Sequence, residues 1–196
     1  MRVSIFVGDI TDVQVDALCT STNPRLSLVL GTGAAVRGRG GYEILRACEE
    51  IVRMEGILPP GSARSTTAGS LPYKVVIHCV ASDARHQSSD LIVETCVRNA
   101  LSCADASGCR SVAMPVFASG HASFKFRRSL EVMARTLRDS ASAIDHVALV
   151  VYDPEQADEA HATVCGVMRR EVPIVRSRIS VSAPSSWWSD DSDRFI

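Results

Sequence analysis

The sequence predicts an α/β fold, a three-layer α/β/α sandwich with a central mixed, mostly parallel sheet. Three observations lead to it. Short runs rich in β-branched residues alternate along the chain with segments whose apolar residues recur at helical spacing, the order that successive βαβ units leave in a sequence. The run Lys74-Val75-Val76-Ile77-His78-Cys79-Val80 is nearly continuous in its apolar character rather than alternating, as strands covered on both faces are. A chain of 196 residues with 46% hydrophobic residues is long and apolar enough for one sizeable core.

The elements follow in order. Residues 2–7 read as a strand that ends at Gly8-Asp9-Ile10-Thr11, a turn with an acid at its mouth. A second strand, 17–21, stops at Asn23-Pro24, and a glycine-rich stretch runs from Leu30 to Gly41. From 42 to 54 the residues Ile44, Leu45, Cys48, Ile51 and Val52 share one helical face, and Gly56 with Pro59-Pro60-Gly61 closes the helix. Residues 62–68 are polar and β-branched, an exposed strand, and 69–72 turn the chain into the buried strand 73–80. Ser88 or Ser89 caps a helix that carries Ile92, Cys96, Ala100 and Cys103 on one face and stops before Gly108. A buried strand at 111–117 leads into a loop of small residues, 118–123. A helix bearing Leu130, Met133, Ala134, Leu137 and Ala141, a strand at 146–152 and a helix from Pro154 to about 168 complete the domain. The expected division is a domain over 1–170 and a flexible tail or linker over 171–196, where serines, the pair Trp187-Trp188 and the run Asp190-Asp191-Ser192-Asp193 replace the periodic pattern.

Composition excludes several classes. A net charge of -1 makes no electrostatic case for direct nucleic-acid binding, although Lys125, Arg127 and Arg128 form a local basic patch. The seven cysteines are odd in number, lack any C-x-x-C pair and sit mostly within apolar patterns, so they read as buried thiols in a reducing compartment rather than as disulfides or a zinc set. His78 and Cys79 are adjacent on a strand and point to opposite faces. No metal and no cofactor are expected. No apolar run approaches a membrane-spanning length and no signal-peptide pattern opens the chain, which places it inside the cell, cytoplasmic or nuclear, without a membrane partner.

Five glycines fall between Gly31 and Gly41. Glycine lets backbone amides approach a ligand closely, and a helix N-terminus beyond such a stretch favours anions, so the stretch suits a phosphate-bearing ligand. In parallel sheets ligands bind at the carboxyl ends of the strands, where Asp9, Asn23, the loop 118–123 and Tyr152 would converge with it.

The loops in this order resemble those of a macrodomain, the family of ADP-ribose-binding α/β modules. The resemblance covers about residues 3–167. It rests on Gly8-Asp9-Ile10-Thr11 followed by Val15-Asp16-Ala17, on Thr20-Ser21-Thr22-Asn23, on Leu71-Pro72-Tyr73-Lys74-Val75-Val76-Ile77-His78-Cys79, on Met114-Pro115 leading into Ala118-Ser119-Gly120, and on Val150-Val151-Tyr152-Asp153. Gly40-Gly41-Tyr42-Glu43 and the strand after Leu71 are most similar to the macro-histone branch. The resemblance implies a partner, ADP-ribose or an ADP-ribosylated macromolecule. It implies that Asp9 accepts from the adenine amino group, that the Ile10 amide meets the ring and that Tyr152 walls it. Amides of Gly31, Thr32, Gly33 and Ala34 would hold one side of the diphosphate, and Ser119, Gly120, His121 and Ala122 the other, with Phe124 nearby. Asn23 would meet the distal ribose, its carboxamide both donating and accepting.

The chain departs from hydrolytic members of that family. Their catalytic aspartate falls near Ala35, and no carboxylate lies between Asn23 and Glu43; the second loop carries Ala122 where they carry an aromatic residue. Without that acid the usual means of activating water is missing, which favours a binding module; Asn23 and His121 are the catalytic candidates of the alternative, a hydrolase of ADP-ribosyl or O-acetyl-ADP-ribose esters with an unconventional site. Two further readings remain. Gly31-Thr32-Gly33-Ala34-Ala35-Val36 is a damaged dinucleotide fingerprint, with Val36 at the last glycine and no acid at a following strand end, and the Trp187-Trp188 tail suits a scaffold contact.

Overall fold

A computed structural model describes residues 1–120, 122 and 124–177. Its sheet contains β1 (Arg2–Val7), β2 (Ala17–Thr22), β3 (Ala63–Thr66), β4 (Val75–Val80), β5 (Ser111–Pro115), β6 (His146–Val151) and β7 (Ile174–Arg176), in the spatial order β3-β4-β2-β5-β6-β1-β7. All neighbours pair in parallel except β3 with β4. The expected mixed, mostly parallel sheet is therefore present.

Helices α1 (Gly31–Gly40) and α2 (Tyr42–Glu55) cover one face, while α3 (Asp90–Ala106), α4 (Phe126–Asp139) and α5 (Ala157–Met168) cover the other. The strands show why. Leu18, Val76, Val80, Ala113 and Val150 pack towards Val36, Ile44 and Cys48, whereas their neighbours Cys19, Ile77, Cys79, Met114 and Leu149 pack towards Val97, Ala100, Leu130 and Met133. Adjacent residues on a strand point to opposite faces, so a strand between two helical layers must be apolar at consecutive positions. Among the described residues no helix is long and apolar enough to cross a membrane.

One buried polar group interrupts this apolar sheet. His78 is fully buried on β4, with Nδ1 3.0 Å from Thr20 Oγ1 on β2 and Nε2 2.9 Å from Thr66 Oγ1 on β3. The Thr66 hydroxyl hydrogen is directed to the Thr67 carbonyl, so Nε2–H donates to Thr66 and Nδ1 accepts from Thr20. The ring is thus satisfied only when neutral, and burial pushes its pKa down to about 3.

Two segments differ from the sequence expectation. The glycine stretch is not a loop but the ten-residue helix α1. Low helix propensity is overridden there by contact: a Cβ on Gly40 would lie 2.3 Å from Ile44 Cδ1, and one on Gly69, where φ is 56°, would lie 2.0 Å from the Gly40 carbonyl oxygen. The Ser70 amide donates to that same oxygen at 2.9 Å. The second difference is at the C-terminal end. The domain does not close at Arg170, because Val172 is buried, β7 pairs with β1 and the Ser177 amide donates to the Val7 carbonyl at 2.9 Å. Trp187 and Trp188 lie outside the described residues.

Two measurements check this account. Gly69→Ala is expected to lower stability by about 3 kcal/mol, since it combines a positive φ with a backbone clash, whereas Gly38→Ala, whose Cβ meets nothing within 4 Å, raises it by about 0.5–1 kcal/mol; urea denaturation reads both. The second concerns pH. An unfolded chain takes up, near 6.5, the proton that folded His78 refuses down to about 3, so its contribution is complete above 6.5 and is lost as pH falls through that window. Stability measured at a series of pH values should fall more gently in His78→Gln, the difference in slope approaching about 1.4 kcal/mol per pH unit.

Candidate functional site

Because β4, β2, β5, β6 and β1 run in one direction, their carboxyl ends deliver loops to one edge of the sheet. A cleft of about 430 Å³ opens there, within the range of small-molecule sites. Strand order sets what each part contains. Asp9, Ile10 and Tyr152 stand at the β1/β6 end, Ser119, Gly120 and Ala122 follow the central β5, and Asn23, Ser82 and His86 stand at the β2/β4 end.

Asp9 caps a short 3-10 turn, Ile10–Asp12. Its Oδ1 accepts from the Thr11 amide at 2.9 Å and the Thr11 hydroxyl at 2.6 Å, and Oδ2 lies 3.3 Å from Arg39 on α1. The carboxylate is 4% exposed and rigidly aimed, with lone-pair capacity on Oδ2 for one further donor. Arg39 also meets Asp12 at 2.6 Å, so one guanidinium ties α1 to the turn after β1. Tyr152 stands next to this acid. Its Oη is buried with no hydrogen-bond partner among the described residues, and burial, with the nearby Asp9 charge, pushes its pKa up.

The middle of the cleft is lined by neutral groups. Leu30 precedes α1 without a side-chain cap, and the first intrahelical bond is Ala34 N–H to the Leu30 carbonyl at 3.3 Å. The amides ahead of it therefore stay unpaired within the helix, at its positive end. Of the four residues expected to supply amides, Gly31 and Thr32 line the cleft; Gly33 backs onto Leu28, and the Ala34 amide is already committed. Thr32 Oγ1 accepts from the Ser21 amide at 3.3 Å, and Ser21 Oγ accepts from the Ala118 amide at 3.3 Å, which fastens both loops to the end of β2. Ala118 takes φ of 58°, and Ser119 Oγ donates to the Val116 carbonyl at 2.9 Å.

At the far end Asn23 forms a local turn. Its Oδ1 accepts from the Arg25 amide at 3.0 Å and the Ser27 amide at 3.2 Å, so it presents its NH₂ group as a donor rather than serving in both senses. Asp9 and Asp153 are the carboxylates lining the cleft among the described residues, both at the β1/β6 end. Asp153 caps the turn before α5 through the Glu155 amide at 2.9 Å. Glu43, the first acid after Asn23, does not line the cleft, which leaves the β2 end without an acid.

One residue departs from expectation. Phe124 and Phe126 both pack on the core, and it is Phe126 that also lines the cleft. His121 lies outside the described residues. The sequence reading also missed Val29 and Leu30, apolar yet 58% and 37% exposed at the rim, and Ser82 and His86 from the β4–α3 connection. Ser82 was within reach of sequence reasoning because it follows a strand end; His86 sits in a connection with no periodic signal.

The family profile described as Macro domain matches residues 19–133. An O-acetyl-ADP-ribose deacetylase of Citrobacter rodentium is 33% identical over 160 residues, 79% of this chain and 90% of the relative. A mutant Oceanobacillus iheyensis macrodomain with ADPR superposes with a TM-score of 0.74 at 22% identity, over 84% of this chain and 90% of that one. The Trypanosoma brucei macrodomain in complex with ADP-ribose gives 0.71 at 21% identity, over 83% and 67%. The expected macro-histone branch is corrected: curated relatives at 30–34% identity are O-acetyl-ADP-ribose deacetylases. Of the two segments that suggested macro-histones, the strand is buried and its residues follow from packing, and Gly40 is required by contact with Ile44, so neither says much about branch.

The unpartnered Tyr152 hydroxyl yields a direct test. Removing an unsatisfied buried polar atom is close to neutral or favourable, so Tyr152→Phe is expected to keep stability within about 0.5 kcal/mol of the natural chain or to raise it, as read by thermal melting.

Proposed function

The chain belongs to the Macro domain family, and on that ground we propose that its cleft takes the ADP-ribose moiety and that it hydrolyses acyl esters of ADP-ribose, of the O-acetyl type named for its relatives. The observation that carries this reading is the cleft itself: a buried acceptor at one end, unpaired amides in the middle and an oriented NH₂ donor at the other. Asp9 Oδ2 suits the adenine amino group, with the Ile10 amide at the ring edge and Tyr152 along its face. Gly31 and Thr32 on one side and Ser119, Gly120 and Ala122 on the other suit the diphosphate, which neutral amides at a helix N-terminus hold without a basic cluster. Asn23 donates to the distal ribose, where the ester is attached.

Ester hydrolysis fits the missing carboxylate better than cleavage of a glycosidic bond does. Water adds to the acyl carbonyl, the oxyanion is held by N–H donors, and the bond from the carbonyl carbon to the ribose oxygen breaks to give acetate and ADP-ribose. Stabilising the oxyanion with preorganised neutral donors lowers this barrier without a strong base in the site. Binding without turnover is the second reading, favoured by the absence of any acid between Asn23 and Glu43.

Calorimetry and a product assay separate the two. ADP-ribose is expected to bind, and Asp9→Ala to weaken it at least about tenfold, the loss of one charge-assisted hydrogen bond. Incubation with O-acetyl-ADP-ribose is expected to release acetate in proportion to enzyme. A flat time course with binding intact leaves the binding module alone, and the absence of binding removes both readings.

A further inference from the structure

We propose that His161, Cys165 and Glu171 form a site for a divalent transition ion of the zinc type, outside the cleft and independent of the function proposed for it. His161 and Cys165 are four residues apart on α5 and so share a face one turn apart. Arg169 then ends the helix in the left-handed region, with φ of 54°, and turns the chain so that Glu171 returns over that face. The three ligand atoms lie within 4.8 Å of one another. Glu171 Oε2 is 3.4 Å from His161 Nε2 and 3.7 Å from Cys165 Sγ.

These separations are those of a coordination shell. Ligands about 2.0–2.3 Å from a tetrahedral ion stand roughly 3.3–3.6 Å from each other, close to the two separations from Glu171 Oε2, so binding an ion requires at most that His161 and Cys165, within 4.8 Å, draw together. The donor set, one imidazole, one thiol and one carboxylate, is suited to zinc rather than to calcium or magnesium. Charge also balances, since thiolate and carboxylate together neutralise a divalent ion. Nε2 now lies 3.1 Å from the Val172 carbonyl, to which its N–H donates. On binding, the imidazole proton moves to Nδ1, Nε2 presents its lone pair to the ion, and the thiol proton leaves to solvent. Glu171 is 89% exposed, which leaves a path for the ion to enter and a fourth position for water or the Val172 oxygen.

A surface ion pair between His161 and Glu171 would not require a thiol beside the same oxygen. The site would also have a consequence for the fold. Glu171 and Val172 lead directly into β7, and Ser177 beyond it packs against Gly8 beside Asp9, so an ion on α5 would fasten the C-terminal strand next to the mouth of the cleft.

Cobalt(II) titration of the whole chain tests this. The expected result is one equivalent bound with a thiolate-to-cobalt charge-transfer band in the near ultraviolet, displaced by zinc, together with a zinc-dependent rise in melting temperature. Cys165→Ser should abolish the band, and Glu171→Gln should weaken binding at least about tenfold while circular dichroism of the metal-free variants is unchanged. No band at millimolar cobalt, or a band undiminished in Cys165→Ser, overturns the proposal, and the second outcome would mean that another of the seven cysteines is responsible.

Discussion

Helix α1 can lie where it does only because two glycines allow one backbone to touch another. The Gly40 carbonyl oxygen occupies the space a Cβ of Gly69 would need, and the Ser70 amide bonds to it. Gly40 in turn leaves room for Ile44 and Leu71, both buried. That contact sets the C-terminal end of α1 close to the sheet; at its other end Thr32 is tied to the Ser21 amide. With both ends held, Gly31 and Thr32 of the first turn line the cleft. The shape of the cleft thus depends on packing at Gly40 and Gly69, which do not line it, as close-packed interiors make usual.

Charge is distributed in keeping with this. Arg39 lies on α1 and meets both Asp9 and Asp12, so this cation is committed to orienting the acceptor. Its side chain is about half exposed, and a pair of this kind adds little to stability. Its effect is positional, since Asp9, held by Thr11 and Arg39 together, has a single direction left in which to accept. A cluster of arginines, among them Arg127, Arg135 and Arg169, lies instead along a groove between α4 and α5 on the opposite face of the sheet. A near-zero net charge and an anion-binding cleft are compatible because the proposed diphosphate ligands are amides.

What could be read in advance divides along physical lines. Strands β4, β5 and β6 are legible because burial on two faces demands continuous apolar residues, and the places of Asp9, Asn23 and Tyr152 at the cleft are legible because each stands at the end of a strand. Helix α1 was not, since its pattern Gly-Thr-Gly-Ala-Ala-Val-Arg-Gly-Arg-Gly has neither propensity nor an apolar stripe, and its structure comes from tertiary contact. Strand β7 is three residues long, follows a proline and leads into serine-rich chain, so nothing local marks it; pairing with β1 creates it. Cysteine spacing carries no signal for the proposed ion site, because its set is assembled by a helix turn and the returning chain. Phe124 and Phe126 show the finest limit: a loop's length is visible, but which of two aromatics packed on the core also reaches the cleft depends on where α4 begins.

The acid-free β2 end bears on mechanism through geometry rather than through loss alone. Asn23 has its oxygen bound by two backbone amides, so the carboxamide cannot rotate to offer an acceptor without breaking both bonds. A group fixed as a donor stabilises negative charge and cannot take up a proton. Hydrolysis of a glycosidic bond develops positive charge on the ribose and requires a base or anion near the attacking water, which this end does not supply. Ester hydrolysis develops negative charge on the acyl oxygen, where a fixed donor beside a helix N-terminus is favourable. On the proposed reading, the same arrangement that disfavours glycosidic cleavage suits ester hydrolysis, with the fixed orientation of the Asn23 carboxamide as one contribution.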